Sequence, residues 1–341
     1  MPSRVVWPAP RQIEIEEFEV EAPGPGEVQL AAELTLISPG TERGWLTDAI
    51  GFPTFPEFRG GFPFRPGYSF TGVVEAVGDG VTRLTAGDRV ISGNFGWGCH
   101  ASHVTFPELV VDPIPDAVPF EQAVFFGLAD VAIFGVRRAR IELGESVVVL
   151  GQGPIGLLCT QIARLSGAVP VIAVDPSADR RAMASTAGAD LVFAPDDPLF
   201  AETAAALPGG GPDVILELTA RREPLDQALA MIAPRGRIIM VTADSNPYTA
   251  NLHQGLFAKG ASLTGVFTAA RPQSDSQPGS WTPAADRDAF LSLVANGRLD
   301  VSPLITDRYP ADQAAAAYRR LLDADPSMVG CRLDWRAPPV H

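Results

Sequence analysis

The sequence predicts an α/β protein of two modules, one barrel-like and β-rich, the other a doubly wound parallel sheet. Three observations predict it. Short strand-like runs broken by Gly and Pro clusters occupy residues 1–125. From about residue 121 apolar runs alternate with Ala-rich, helix-compatible segments. The 341 residues also exceed the usual span of one hydrophobic core.

In the first module, Glu27–Leu36, Thr71–Val77 and Arg89–Ile91 read as strands, separated by the turn clusters APGPGE and GDGVTRLTAGD. Several short strands at such spacing suggest a barrel. Between Pro53 and Pro66 the chain is rich in Pro, Gly and Phe, which predicts a loop with apolar anchors. A helical stretch, Phe120–Arg140, then leads into SVVVLGQGPIG and a second helix running through Leu165. Five more apolar runs follow: Val171–Val174, Leu191–Phe193, Val214–Leu218, Ile238–Val241 and Ser262–Phe267. Segments such as RRAMASTAGA and REPLDQALAMI separate them as helices, so six strands build a parallel sheet covered on both faces. After the polar breaker RPQSDSQPGS come two helix-like stretches, Ala285–Ala295 and Asp312–Ala324, and a closing strand in GCRLDW.

Bulk properties exclude several function classes. A composition 46% hydrophobic and 19% charged describes a packed soluble chain, not a disordered one. A net charge of −14 argues against nucleic acid or an anionic membrane as partner. Cys99, Cys159 and Cys331 are scattered without paired spacing, so the chain reads as cytoplasmic rather than secreted. The N-terminus lacks the apolar core of a signal peptide, and no run of about 18 apolar residues could span a bilayer.

Gly151-Gln152-Gly153-Pro154-Ile155-Gly156 is a G-x-G-x-x-G placed directly after a strand and before a helix. The first two glycines allow a tight turn and close approach of a pyrophosphate, and the third allows close helix–strand packing. The helix N-terminus offers N–H groups and partial positive charge to the phosphates. Asp175 ends the second strand, 19 residues beyond Gly156. A carboxylate there accepts from both ribose hydroxyls of NAD and repels a 2′-phosphate, so NAD is favoured and NADP left open. Arg180 and Arg181 stand ready to stack on adenine or soften that repulsion. The site is expected to extend through Pro176, Thr219, Val241, Thr242, Val266 and Phe267.

The chain resembles the medium-chain dehydrogenase/reductases along essentially its whole length, in the order GEVQLAAELTLISPGTE, RPGYSFTGVVEAVGDGVTRLTAGDRV, VVVLGQGPIG, KGASLTGVF and GCRLDW. The G-x-x-x-x-G-V-V-x-x-V-G block at Gly67, Gly72 and Gly78, followed by Gly87-Asp88, is its most specific part. The resemblance implies a GroES-like β-barrel from 1–125 and 266–341, a Rossmann domain at 126–265, and a homodimer paired through Ser262–Phe267. It looks closest to the polyol and alcohol dehydrogenase branch.

Zinc-using relatives carry Cys in a C-G-T-D block and His and Glu in a G-H-E block. Here those positions hold Pro39-Gly40-Thr41-Glu42 and Gly67-Tyr68-Ser69. Pro has no donor atom, and Tyr and Ser are poor substitutes for imidazole and carboxylate. A Cys99/His100/His103 metal site is weighed and set aside, because adjacent Cys and His rarely face one ion. The expectation is an enzyme without zinc.

Without a metal, a hydrogen-bond donor must stabilise the alkoxide and a side chain must relay the proton. Tyr68 is the first candidate for the acid, with a cleft-lining tyrosine as the alternative. The resemblance assigns the relay to Thr41, while Ser69 and Asp130 could orient Tyr68 or substrate. Glu42 is read as structural, salt-bridged to Arg43, and Trp45, Phe95 and Trp97 as cleft-lining. Three functions compete: a zinc-independent NAD(H) oxidoreductase acting on a secondary alcohol or ketone (polyol, cyclitol or sugar-like), a zinc-free quinone or enoyl reductase, and a non-catalytic dinucleotide-binding sensor.

Overall fold

The computed structural model describes residues 1–50, 52, 60–92, 98–242, 247–277 and 279–336. The chain forms two compact units, Met1–Gly127 with Asp300–His341, and Leu128–Leu299.

The first unit is organised by the 11-residue strand Glu27–Ile37. It pairs antiparallel with Phe70–Val77, with His103–Pro107 and with Gly330–Asp334. Arg89–Ser92 and Val111–Pro113 extend one side of this sheet and Ile305–Pro310 the other. Alternate residues Val28, Leu30 and Ala32 enter a core with Phe70, Val74, Val90 and Val111, as the two-residue period of a strand requires. A second core gathers Trp7, Trp45, Leu46, Phe64, Tyr318 and Leu333. Residues 53–59 of the Pro/Phe-rich loop lie outside the described residues, but Phe52, Phe62 and Phe64 on either side pack against that second core. The expected helix Phe120–Arg140 is two, Phe120–Ala123 and Phe126–Ala139. They break at Val124 and Phe125, both fully buried; the Phe125 ring packs so closely on Gly330 that a Cβ there would lie 2.8 Å from it.

The second unit holds a six-stranded parallel sheet in the order Leu191–Phe193, Val171–Val174, Val147–Leu150, Val214–Glu217, Arg237–Met240, Ser262–Gly265. This is the 3-2-1-4-5-6 order of a dinucleotide-binding sheet. Its three central strands are buried at every residue, which explains their largely Val/Ile/Leu composition, with Glu217 as the one charged exception among them. Three helices start on side-chain caps, at Ser177, Asp197 and Thr282. Lys259 closes the far end of Arg222–Met231 by donating to the carbonyls of Leu229, Ala230 and Ile232.

One boundary differs from expectation. The return to the first unit was placed at 266, yet residues 266–299 stay with the second. The reason is a buried ion cluster: Arg271 binds Asp130 and Asp286, and Arg137 binds Asp286. It ties Pro283–Ala295 to the helix Phe126–Ala139, and a polar breaker in sequence gives no sign of it. No helix among the described residues is long and apolar enough to cross a membrane.

Candidate cofactor and catalytic sites

The glycine loop leaves the sheet between Val147–Leu150 and Val214–Glu217, where the strand order reverses. Ligands of open α/β sheets bind outside the carboxyl ends of the strands at such a point. Gly151 has φ +93°, a conformation that excludes a side chain. A Cβ on Gly156 would lie 1.9 Å from the Gly151 carbonyl oxygen, whereas one on Gly153 would meet nothing within 4 Å. The third glycine is therefore for packing, and the second faces open space. The helix Pro154–Leu165 begins at Gly153 without a side-chain cap, so the first-turn amide of Ile155 lacks the side-chain acceptor that the other capped helices have. These features fit a pyrophosphate.

Asp175 is 4% exposed. Its Oδ2 accepts the Gln152 N–H and its Oδ1 the Ser177 N–H, both at 2.8 Å. The carboxylate is thus held rigid at the lip of the loop and keeps lone pairs for further donors. Its partners within the protein are thus backbone amides of the loop and of the next helix's start. Arg181 donates to the Asp175 and Pro176 carbonyls and so braces that turn, while the Arg180 N–H is held by Ser177. Pro176 itself is exposed.

Several expected cofactor residues serve the framework instead. The Gln152 side chain is fully buried, donating to the Val149 carbonyl and accepting from Thr160, so only its backbone borders the loop. Val241 is 4% exposed, and a Cβ on Gly135 would lie 2.9 Å from it. The Thr219 hydroxyl donates to Glu217. Val266 continues the sheet through its N–H to the Met240 carbonyl, and Phe267 is 57% exposed. The Thr242 hydroxyl, by contrast, is buried with no hydrogen-bond partner among the described residues, as suits a group awaiting a ligand. Sequence reading missed Glu217. Burial raises its pKa against the bonds from Thr219, and the one signal was an acidic residue inside the run VILEL.

In the first unit, Tyr68 is half-buried and its OH donates to the Ser38 hydroxyl at 2.5 Å. Ser38 is 3% exposed and precedes the helix Pro39–Leu46, which carries half-buried Thr41 on its first turn. Ser69 is 1% exposed and packed against Gly127, where a Cβ would come within 2.2 Å of its hydroxyl. The expectation that Ser69 orients Tyr68 is thus replaced by Ser38. In the second unit Asp130, another expected orienting group, is bound by the Arg271 guanidinium. Burial raises its pKa while Arg271 opposes the shift. Glu42 is not paired with Arg43: it is fully buried, accepting from the Ser38 N–H and Tyr318 OH and contacting His100. Trp45 is 5% exposed, stacked on Phe52 in the core, so it lines no open cleft. Phe95 and Trp97 lie outside the described residues.

The donor chemistry does not fit a catalytic zinc. Pro39 has no ligand atom, the Tyr68 phenol is engaged with Ser38, and Ser69 is packed away. Cys99, His100 and His103 likewise do not converge. Cys99 lies in the apolar core, its thiol pushed up by burial to about 12. His100 faces Thr35 and Glu42, and His103 faces Ser102 and Glu75.

Two family descriptions match the chain: the alcohol dehydrogenase GroES-like domain over residues 47–116 and the zinc-binding dehydrogenase over 154–282. The chain belongs to the medium-chain dehydrogenase/reductase superfamily. This is a family of NAD(P)-binding oxidoreductases, and the family's two-part α/β architecture is the one observed. Among relatives, 2-dehydro-3-deoxy-L-galactonate 5-dehydrogenase of Pseudoalteromonas atlantica is 27% identical over 294 residues, covering 79% of this chain and 82% of its own. Human sorbitol dehydrogenase is 26% identical over 339 residues, covering 91% and 89%. The crystal structure of 2R,3R-butanediol dehydrogenase from Bacillus subtilis matches with a TM-score of 0.83 at 23% identity, covering 98% of this chain and 100% of that one.

Proposed function

We propose that this medium-chain dehydrogenase/reductase is a zinc-independent, NAD(H)-dependent oxidoreductase acting on secondary alcohols or ketones, with polyols, cyclitols and sugars as the substrate class. The observation that carries the reading is the Tyr68–Ser38 hydroxyl pair beside Pro39, with Tyr68 and Pro39 standing where the resemblance to zinc-using relatives would put metal donors. When bound, NAD(H) supplies or accepts the hydride. Tyr68 donates its phenol proton to the carbonyl oxygen as reduction proceeds, and takes it back in oxidation. Thr41 is the second hydroxyl available to relay it. The relatives' polyol, sugar-acid and diol substrates support the substrate class, and the place of Ser262–Gly265 as the last strand of the six-stranded sheet, among the described residues, supports a homodimer. The direct test is NAD⁺ reduction against a panel of polyols, cyclitols and simple secondary alcohols; a panel without turnover would favour a non-catalytic dinucleotide binder.

Two expected results accompany it. NADH binds at least about tenfold tighter than NADPH, because a rigid carboxylate at Asp175 meets ribose hydroxyls favourably and a 2′-phosphate unfavourably. Asp175→Ser narrows or reverses that ratio, and fluorescence titration of both reduced cofactors reads it. Equal wild-type affinities defeat the role given to Asp175. Secondly, protein purified without added metal is expected to hold no stoichiometric zinc and to keep its activity in chelator. Elemental analysis giving one zinc per chain overturns the metal-free reading.

A further inference from the structure

Linked to Tyr68 through Ser38, the first unit contains a chain of buried polar side chains. Glu42, His100, Tyr318 and Thr35 are each fully buried. Tyr318 donates to Glu42 Oε2, which His100 Nε2 also approaches at 3.2 Å. His100 Nδ1 lies 2.8 Å from the Thr35 hydroxyl, which accepts from the Trp335 indole at 2.9 Å. The set closes if Thr35 donates to Nδ1 and Nε2–H donates to Glu42. Burial, and then the charge of Glu42, raise the Tyr318 phenol well above its usual range, so it remains a donor. Taking a carboxylate out of water this completely is costly, and an apolar core would be cheaper.

What the cluster delivers is a fixed Ser38. Glu42 Oε1 accepts the Ser38 N–H at 2.9 Å, and the Glu42 N–H returns to the Ser38 carbonyl at 2.9 Å. This reciprocal pair pins the residue that starts the helix Pro39–Leu46. The Ser38 hydroxyl then stands 2.5 Å from the Tyr68 OH.

We infer that Ser38 is a positioning residue for Tyr68, its hydroxyl turning from acceptor to donor as the phenol loses its proton, and that Glu42, braced by His100 and Tyr318, holds it there. The inference rests on Tyr68 being the acid. No bond forms or breaks at Ser38: the Tyr68 O–H bond breaks, its proton forms the substrate O–H bond, and the Ser38 O–H rotates to donate to the phenolate. A hydroxyl free to rotate suits this role, since its hydrogen follows the charge.

The test is a double-mutant cycle of Ser38→Ala with Tyr68→Phe, read as kcat alongside the dissociation constant for NADH. Ser38→Ala is expected to lower kcat about tenfold or more, the value of a hydrogen bond to a charged group, with NADH affinity unchanged. In the Tyr68→Phe background the same change is expected to alter kcat by less than about twofold. Glu42→Gln, which keeps the volume and perturbs the acceptors, serves as the second variant and is expected to show the same dependence on Tyr68. A full loss from Ser38→Ala in both backgrounds overturns the inference, because Ser38 would then act independently of Tyr68. Loss in Tyr68→Phe with wild-type kcat in Ser38→Ala overturns the inference alone. A Tyr68→Phe variant with wild-type kcat overturns the reading of Tyr68 on which it rests.

Discussion

Tyr68→Phe is expected to lower kcat about a hundredfold or more, with NADH affinity and Tm close to wild type. Among the residues described, Tyr68 is the phenol placed where metal-using relatives have a zinc ligand, and no neighbouring donor set fits zinc. On the proposed zinc-independent reading, the several kcal/mol of charge stabilisation that a metal would supply come from another group. One well-placed donor contributes on the order of 2.7–4 kcal/mol to the transition state, or about a hundred- to thousandfold in rate. Phe keeps the ring and its contact with Gly127 while deleting the OH that Ser38 accepts. Loss of the hydrogen bond to Ser38 costs about 1 kcal/mol of stability. Cofactor affinity serves as the control, since the glycine loop and Asp175 belong to the other compact unit. Steady-state kinetics with the best substrate of the panel, beside fluorescence titration of NADH, separates the two effects. Turnover at the wild-type rate would make Tyr68 a wall and move the search for the proton relay to Thr41, Asp130 or a bound water.

Arg271→Met is expected to destabilise the protein by about 3–5 kcal/mol at neutral pH, the range for stripping a buried charge of its partner. The guanidinium is 1% exposed and bridges Asp130 and Asp286, two carboxylates themselves largely withdrawn from water. Burial pushes Asp286 up to about 6 even with Arg137 and Arg271 opposing, and it raises Asp130 as well. Removing Arg271 takes away the cation that both share and sends both carboxyls higher. A carboxylate whose folded-state pKa lies above its unfolded value of about 4 stabilises the fold below that value. The contribution is lost as pH rises through the folded pKa. For Asp286 that window runs from about 4 to about 6 in the wild type, and it moves upward in the variant. The deficit of Arg271→Met is therefore larger at about pH 8 than at about pH 5, where its carboxyls are protonated and tolerate burial. Urea unfolding at both pH values measures this. Equal deficits at the two values would falsify the electrostatic account and leave only lost packing against Phe134, whose ring centre lies 5.3 Å from the guanidinium.

Sequence by itself determined the elements whose residues carry a local signal. Short β-branched-rich apolar runs at 147–150, 171–174 and 214–217 read as strands buried on both faces, and the structure pairs all three at the centre of one parallel sheet. The strand–turn–helix at Gly151–Gly156 and the strand end at Asp175 were legible for the same reason: these elements are consecutive in the chain, so spacing carries geometry. Pro39, Tyr68 and Ser69 stood out in the sequence because side-chain chemistry is a property of the residue itself: Pro has no donor atom, and Tyr and Ser are weaker ligands than His and Glu.

What only the tertiary structure decided depends on residues far apart in the chain. Ser38 meets Tyr68 across 30 positions, Glu42 meets Tyr318 across 276, and Arg271 meets Asp130 across 141. No periodicity or spacing encodes such meetings. For that reason Ser69 and Asp130 were expected to orient Tyr68 or the substrate, whereas the structure pairs Tyr68 with Ser38 and Asp130 with Arg271, and Glu42 was expected beside Arg43 rather than in a buried polar cluster. The boundary at 300 rather than 266 has the same origin, since a buried ion cluster holds Pro283–Ala295 to the second unit. A side chain's type states what chemistry it can perform; its partner, set by the packing of distant segments, decides whether that chemistry is spent on the fold or left for a substrate.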